Sequence, residues 1–527
     1  MLKILLTAFN ARYSHSSIAI RYIKAYNSSK NIDLMEFSIN DNIHYAYSKL
    51  IDKKADVYCF SVYIWNIEIT LKVAQMVKKA LPNCKIVLGG PECSYNPKEI
   101  LNKNRFIDYI ILGEGEKVTG MLIECLENHE EPEFDGIASR NYIGNQAPCM
   151  ELSQVIFPYT SESLKELKNK IIYFETSRGC PFKCAYCLSS IEKGIRYFPM
   201  EYVKKGFDMF FKNNVPLVKL IDRTFNADPK RAVEIAKYII KNSKNTKVHF
   251  EIDPGILTNE FIDVLASAPK DLFQLEMGIQ SINKNTLGAV NRTNDIEKIS
   301  KNIEKLKAAN NMHLHLDLIA GLPYEDYKSF EKSFNYVFSL NPDMLQLGFL
   351  KVLHGTPIEQ TDGIIYADFP PYEVISTKWI RADEICKLKL IDKAVDGINN
   401  SGAFKMTIQK ITVDNPFKAF ERISKIFDTD IILSRFDIYD ELYKIYGEEI
   451  FEELIFDFML SNKGRPMPKF ANIEYPKSFK KNCIKATKTD DLENVRFEPV
   501  KDKIYMVDYN KNEIVDITKE YKKVAED

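Results

Sequence analysis

Three thiols, Cys180, Cys184 and Cys187, fall at C-x3-C-x2-C spacing within Thr176-Ser177-Arg178-Gly179-Cys180-Pro181-Phe182-Lys183-Cys184-Ala185-Tyr186-Cys187, just after the apolar run 171–174. One loop with this spacing can wrap a soft, multi-metal centre, and thiolates are the ligands that iron–sulfur clusters prefer. Structural zinc is the competing reading, but it needs four protein ligands, usually as two short pairs. The next cysteine along the chain is Cys386. Three cysteines on a four-iron, four-sulfur cluster leave one iron without a protein ligand, and a small molecule can bind there. Downstream, polar residues recur at the ends of strand-like runs. They are Asp222 and Asn226, then Glu251 and Asp253, then Glu276, Gln280 and Ser281, followed by Arg292, whose planar fork suits a carboxylate. His313 and His315 alternate with apolar residues and read as strand histidines on one face. Upstream, Leu88-Gly89-Gly90-Pro91-Glu92 and Gly113-Glu114-Gly115-Glu116 each end an apolar run, and their glycines admit a flat or bulky ligand close to the backbone.

The elements that must position these residues follow from periodicity. Residues 1 to 150 alternate β-branched runs at 3–7, 33–37, 57–62, 85–88 and 109–112 with helical patterns at 18–26, 68–79 and 117–126. This predicts an α/β domain with a Rossmann-like, doubly wound parallel sheet covered on both faces. Ligands of such sheets lie beyond the carboxyl ends of the strands, here at loops 8–17, 63–66, 89–92 and 113–116. Residues 151–170 form a linker with Pro158 and a charged helical stretch. Across 171–362, strand-like runs begin near 171, 217, 247, 272, 312 and 344, separated by helical patterns at 229–241, 259–267, 295–309 and 327–338. Six such repeats predict a partial (β/α)6 barrel with its chemistry at the carboxyl ends of the strands. Residues 363–527 read as a mainly helical extension, with long helices over 372–396 and 419–461 and a small β-unit over 482–517. We expect the extension to shape a substrate pocket or lid and to supply no metal ligand.

Composition bounds the rest. A chain of 527 residues, 45% hydrophobic and 28% charged, has the make-up of globular protein and the length of about three domains. Its 72 basic and 73 acidic residues leave no excess charge to neutralise phosphates, which argues against general binding to nucleic acid or a membrane surface. No apolar run reaches the ~18 residues of a membrane span. The first nine residues are apolar without a basic region ahead of them, so they read as a first strand and not a leader. Ten cysteines without paired spacing suggest a reducing cytoplasm.

The C-x3-C-x-Y-C loop after a strand resembles the cluster loop of the radical S-adenosylmethionine (SAM) enzymes. That resemblance implies a 4Fe-4S cluster on Cys180, Cys184 and Cys187, with SAM chelating the open iron and Tyr186 among the cofactor contacts. Asp222-Arg223-Thr224-Phe225-Asn226 resembles the family's D-x-x-F-N run, which would turn Asp222 and Asn226 toward SAM or substrate; a helix cap and turn are the alternative. Glu251, preferred to Asp253, would accept from a ribose hydroxyl or the SAM amine. Glu276-Met277-Gly278-Ile279-Gln280-Ser281 with Arg292-Thr293 resembles the G-x-Q-S and R-T pairing, which implies Glu276, Gln280 and Ser281 near the ribose and Arg292 on the carboxylate of SAM. Asp317-Leu318-Ile319-Ala320-Gly321-Leu322-Pro323 resembles the D-x-I-x-G-x-P run that lines the adenine, through Ile319 and Gly321.

The L-G-G-P-E and G-E-G-E runs resemble the cobalamin-binding domain of the B12-dependent radical SAM enzymes, and His354-Gly355-Thr356-Pro357 is similar to many of these members. Gly89, Gly90, Glu92, Gly113, Glu114 and Gly115 would then surround the corrinoid. The D-x-H-x-x-G signature of the cobalamin mutases is absent, since His15 has Tyr13 and Ile18 where the Asp and Gly should be, and His44 and His129 lack the pattern. Cobalamin without a histidine on its lower face is therefore expected, and His15 reads as a polar loop residue. Methylthiotransferases also precede their core with an α/β domain, but theirs carries three cluster cysteines. Of Cys59, Cys84, Cys93, Cys125 and Cys149, only Cys93 is placed for chemistry.

The implied activity is that of a cobalamin-dependent radical SAM enzyme. A reduced cluster would cleave SAM to a 5′-deoxyadenosyl radical, which takes hydrogen from an unactivated carbon, and methylcobalamin would then methylate that carbon. Protein side chains acting directly in catalysis are not identified. Alternatives are a non-methylating rearrangement, cyclisation or redox step, or a non-catalytic cobalamin-binding sensor; the intact cysteines and residues 278–281 argue against the last. Expected partners are a small-molecule or lipid-like substrate and an external electron donor such as flavodoxin or ferredoxin.

Overall fold

Apolar runs alternating with amphipathic helices build a six-stranded sheet at the start of the chain. Its strands are β1 Ile4–Asn10, β2 Ile32–Ser38, β3 Val57–Ser61, β4 Lys85–Gly89, β5 Tyr109–Ile111 and β6 Ile137–Ala138, in the order β2-β1-β3-β4-β5-β6. The first five are parallel, and β6 closes the edge antiparallel to β5. All seven residues of β1 and all five of β3 are buried, because helices cover both faces. Leu5, Phe9, Phe60 and Leu88 pack with Leu50 and Val73 on one face, while Leu6, Ala8 and Val87 pack with Ile20, Val118 and Leu122 on the other. Strand order reverses between β1 and β3, which opens a crevice at their carboxyl ends. Four elements lie outside the expected set, two of them the short helices Pro91–Ser94 and Pro97–Lys103. The helix Ile43–Lys53 starts at Asn42, whose side chain accepts from the His44 and Tyr45 N–H groups, but it buries only Ala46 and Leu50. At two residues, β6 is too short to leave a period in the sequence.

The structure is a computed structural model that describes residues 1–191, 194–293, 295–471 and 475–525. The chain divides into two compact units, Met1–His315 with Gly321–Tyr324 and Phe349–Trp379, and Leu316–Ala320 with Glu325–Gly348 and Ile380–Asp527. In the first unit β7 Ile172–Phe174, β8 Ser177–Gly179, β9 Ile195–Tyr197, β10 Leu217–Leu220, β11 Lys247–Ile252 and β12 Phe273–Gln280 follow the first sheet. β7, β10, β11 and β12 form a parallel ladder in which Tyr173 faces Lys219, Lys219 faces His249, and Glu251 faces Glu276. β8 and β9 pair antiparallel and bracket the cysteine loop. β13 His313–Ala320 and β14 Met344–Phe349 continue the strand–helix alternation. The segment Phe349–Trp379, which returns to the first unit, carries the antiparallel pair β15 Ile364–Tyr366 and β16 Val374–Thr377.

The second unit is mainly helical, and it corrects three expected elements. The helix expected over 372–396 begins only at Ala382, because Tyr372 takes φ +57° and Val374–Thr377 is extended. The single helix expected over 419–461 is three, Pro416–Ile423, Arg435–Tyr446 and Phe451–Ser461, with Ser434 capping the second and Gly447 at φ +58° ending it. The start of the expected β-unit is helix Phe479–Thr487, and β17 Val495–Val500, β18 Lys503–Asp508 and β19 Glu513–Asp516 form an antiparallel sheet after it. Among the described residues no helix is long and apolar enough to cross a membrane.

Candidate cofactor site

Cys180, Cys184 and Cys187 sit in the loop between β8 and β9, partly exposed and unbridged. The backbone of this loop is pinned from both sides: Ala185 N donates to Val290 O at 3.0 Å, and Ala185 O accepts from Ile358 N at 3.0 Å. Cys180 Sγ lies 3.5 Å from Thr224 Oγ1. Arg292 Nη1 lies 3.9 Å from Cys184 Sγ and donates to Tyr186 Oη at 3.1 Å, while Nη2 donates to Gly278 O at 2.8 Å. Burial raises the Cys184 thiol pKa, and the Arg292 charge opposes that rise. Three soft thiols on a braced loop beside a guanidinium, which favours thiolate, fit an iron–sulfur cluster.

The end of β12 carries marks of a ligand cradle. Gln280 takes φ +67°, uncommon for a residue with a side chain. Its Oε1 and the Arg292 Nε are buried without a hydrogen-bond partner, an arrangement that costs free energy unless something else binds there. Ser281 is fully buried, and its Oγ accepts from Asn283 N at 3.0 Å. Gly321 takes φ +85°, and a Cβ there would stand 2.7 Å from Val374 Cγ1. Ile319 is half-buried near the end of β13.

Asp222 and Asn226 brace the strand ends through bonds to neighbouring strands, neither as a helix cap nor as a turn. Asp222 is 1% exposed, and its carboxylate accepts from Thr176 N at 2.8 Å and from the hydroxyls of Thr176 and Ser177 at 2.6 Å. Asn226 donates to Asp253 O at 2.8 Å and accepts from Asp253 N at 2.9 Å. Glu276 accepts from Lys219 at 3.1 Å and pairs with His249 at 3.0 Å. Burial raises its pKa, but the His249 hydrogen bond and the Lys219 charge outweigh that and hold it at about 2. Glu251 lies 3.9 Å from Lys219.

The glycine runs meet at a cavity of about 390 Å³ beyond the carboxyl ends of the first sheet, lined by Gly89, Gly90, Gly113, Glu114 and Gly115. Its opposite wall is Ser177, Arg178 and Gly179 with Leu188 and Ser189, the two flanks of the cysteine loop. Glycine is demanded at 90 by φ +121° and by the Val62 carbonyl, into which a Cβ would run. Close approach of a ligand is therefore not its only reason. Among the described residues that line it there is no histidine. The glycine backbone leaves room there for a bulky, flat cofactor. His15 does not reach it, since its Nδ1 sits 3.1 Å from the Tyr173 hydroxyl. Cys93 is fully buried with Sγ 3.3 Å from Gly90 O, and burial raises its pKa, so it reads as an inert core thiol.

The expected acidic contacts have protein partners. Glu92 is buried, does not line the cavity, and accepts from the Tyr372 hydroxyl. Glu114 joins a network centred on Arg178, at 3.2 Å from Arg178 Nη1, with Arg196 as a second partner. Arg178 Nη2 is also 2.6 Å from Glu116 and 2.7 Å from Glu175. The sequence reading missed Arg178, Arg196, Glu116, Glu175 and Tyr372 as site residues. Only Arg178, a charge inside the cysteine motif, and Glu116, inside the G-E-G-E run, carried any signal.

Three profiles of known protein families match stretches of the chain. The B12 binding domain profile matches residues 4–122, the radical SAM superfamily profile residues 174–337, and a profile described as a protein of unknown function, DUF4080, residues 361–524. A 2-(S-pantetheinyl)-carbapenam-3-carboxylate methyltransferase of Streptantibioticus cattleyicolor is 27% identical over 299 residues, 52% of this chain and 44% of that protein. The cobalamin-dependent radical SAM methyltransferase TokK of Streptomyces tokunonensis is 25% identical over 336 residues, 59% of this chain and 49% of its own. The chain thus matches about half the length of these relatives. In fold it is similar to the radical SAM methyltransferase TsrM of Kitasatospora setae, solved with cobalamin and a [4Fe-4S] cluster. That likeness has a TM-score of 0.58 at 14% identity and covers 71% of this chain and 79% of TsrM.

Proposed function

The chain belongs to the radical SAM enzymes that carry a B12-binding domain, and from that premise we propose that it methylates an unactivated carbon of a small molecule. The observation that carries this reading is the shared wall: the flanks of the cysteine loop, Ser177–Gly179 and Leu188 with Ser189, close the glycine-floored cavity. A cofactor in that cavity and a cluster on Cys180, Cys184 and Cys187 would be served by one loop. When bound, the cluster and SAM supply a hydrogen-abstracting radical, and cobalamin supplies the methyl group. The chain's own residues hold and aim. The three cysteines ligate, Arg292 ties their loop to the end of β12, and Gln280 with Arg292 Nε offers unpaired polar atoms to SAM. Gly89, Gly90, Gly113 and Gly115 floor the corrinoid cavity, and Arg178 joins the domain that bears it to the strand before the cysteines. Both relatives named above are methyltransferases, which supports methyl transfer. The reading includes a cytoplasmic setting, an external donor of single electrons such as flavodoxin or ferredoxin, and no nucleic-acid partner.

Anaerobic reconstitution with iron, sulfide and hydroxocobalamin tests this. Reduced wild type should cleave SAM to 5′-deoxyadenosine and retain corrinoid, and Cys184→Ala should lose the cleavage. Equal cleavage by Cys184→Ala would remove the radical reading. Failure to retain corrinoid would remove the corrinoid site and the methyl transfer that depends on it, and would leave SAM cleavage standing.

A further inference from the structure

Among the described residues, three glutamates and two arginines line the cavity. Four of them hold one another, since Arg178 lies 3.2 Å from Glu114, 2.6 Å from Glu116 and 2.7 Å from Glu175. The fifth, Arg223, is exposed and has neither a hydrogen bond nor an ion pair among the described residues. A solvated arginine is ordinary on a surface, so what singles this one out is where its backbone is fixed. Asp222 before it is buried and tied to Thr176 and Ser177. Thr224 after it is buried with its hydroxyl 3.5 Å from Cys180 Sγ, and Phe225 stacks on Phe250 with ring centroids 4.2 Å apart. Consecutive Cα atoms are about 3.8 Å apart, so Arg223 starts one residue from the group that touches a cluster cysteine and ends in the cavity wall.

Tyr63 lines the same cavity. Burial raises its phenol pKa, and the Ser61 hydrogen bond and the nearby Arg223 charge work against that rise. A protonated phenol and a guanidinium both donate hydrogen bonds, and the guanidinium is a planar fork that matches a carboxylate or phosphate. We infer that the acceptor of the methyl group carries an oxyanion, a carboxylate or a phosphate, and that Arg223 binds it; the inference rests on the methyl-transfer reading above. An acceptor with only apolar groups would strip water from the guanidinium and return nothing to it. Two other anions could use the same fork, the carboxylate of SAM and the phosphodiester of cobalamin, and they predict different losses when it is removed.

The reconstituted enzyme is given methyl-labelled SAM and a heat-treated, filtered extract of cells lacking the gene, with Cys184→Ala as the control. Label transferred to a molecule other than cobalamin is purified with it, and its groups are read by mass spectrometry and NMR. A carboxylate or phosphate should be present. Its absence overturns the inference and leaves methyl transfer standing, whereas no transferred label overturns both. With the acceptor purified, Arg223→Gln should raise its KM on the order of tenfold, the loss of one charged hydrogen bond, with smaller changes in the KM for SAM and the Kd for hydroxocobalamin. A larger rise in the KM for SAM would assign Arg223 to SAM. Weaker binding of hydroxocobalamin, with unchanged binding of aquacobinamide, which lacks the phosphodiester, would assign it to the corrinoid. Either result, or an unchanged KM for the acceptor, sinks the proposal.

Discussion

Arg292 reaches two parts of the site at once, donating to Tyr186 in the cysteine loop and to Gly278 O at the end of β12. A lysine keeps the charge but not the planar fork that makes both bonds. Arg292→Lys should therefore lower retained iron or SAM cleavage by about 10- to 100-fold, the usual effect of losing a partner behind a metal site; iron per chain and 5′-deoxyadenosine formation measure it. Glu175 is the second instructive side chain. Burial pushes its pKa up to about 7 against the pull of Arg178. The folded chain thus holds this proton more tightly than the unfolded chain does. Its contribution to stability is complete below the ordinary value of 4.5 and is lost as pH rises through about 7. Glu175→Gln, neutral throughout, should flatten the decline in urea midpoint between about pH 5 and about pH 8; an unchanged slope would show that Glu175 is ionised in the fold. The residue types at this site were legible, but their duties were not. Glu92 and Glu114 were expected on the corrinoid, and their carboxylates are engaged by Tyr372 and by Arg178 and Arg196.

At the scale of elements, Phe349–Trp379 is the segment that periodicity described least well. It touches three loops of the site, with Ile358 N on Ala185 O, Tyr372 on Glu92, and Val374 packed against Gly321. Tyr372→Phe should leave the buried Glu92 carboxyl without its donor and cost about 1–3 kcal/mol. The measurements are the urea midpoint and the affinity for hydroxocobalamin, both expected to fall. If affinity holds while stability drops, the segment supports the fold but not the corrinoid loop. Strands and helices with clean alternation were legible to within a few residues, as in Ile18–Tyr26 and Pro229–Asn242. The β8–β9 pair was not, because three-residue strands carry no period, and what defines them is the pairing of Ser177 with Tyr197 across the cysteine loop.

For the molecule as a whole, the cavity is a folding linkage as well as a site. A corrinoid that binds only the folded chain stabilises it by about 2.7 kcal/mol at a hundredfold excess over its Kd. Thermal unfolding with and without hydroxocobalamin should show a rise in Tm that grows with concentration, and Gly90→Ala, strained by φ +121°, should show a smaller rise. No rise in wild type would mean that the cavity does not take the corrinoid.

What the sequence alone determined is what neighbouring residues encode: the cysteine spacing, the order of strands and helices, and the glycine runs at strand ends. Periodicity and loop spacing are local, so they survive without a structure. Only the tertiary structure decided which charged groups are engaged and by what. Tyr372 and Glu92 are 280 positions apart, and Arg178 and Glu116 are 62 apart. A parallel fold gathers the ends of distant strands in one place, and the role of a carboxylate is set by what lies within hydrogen-bond distance of it there.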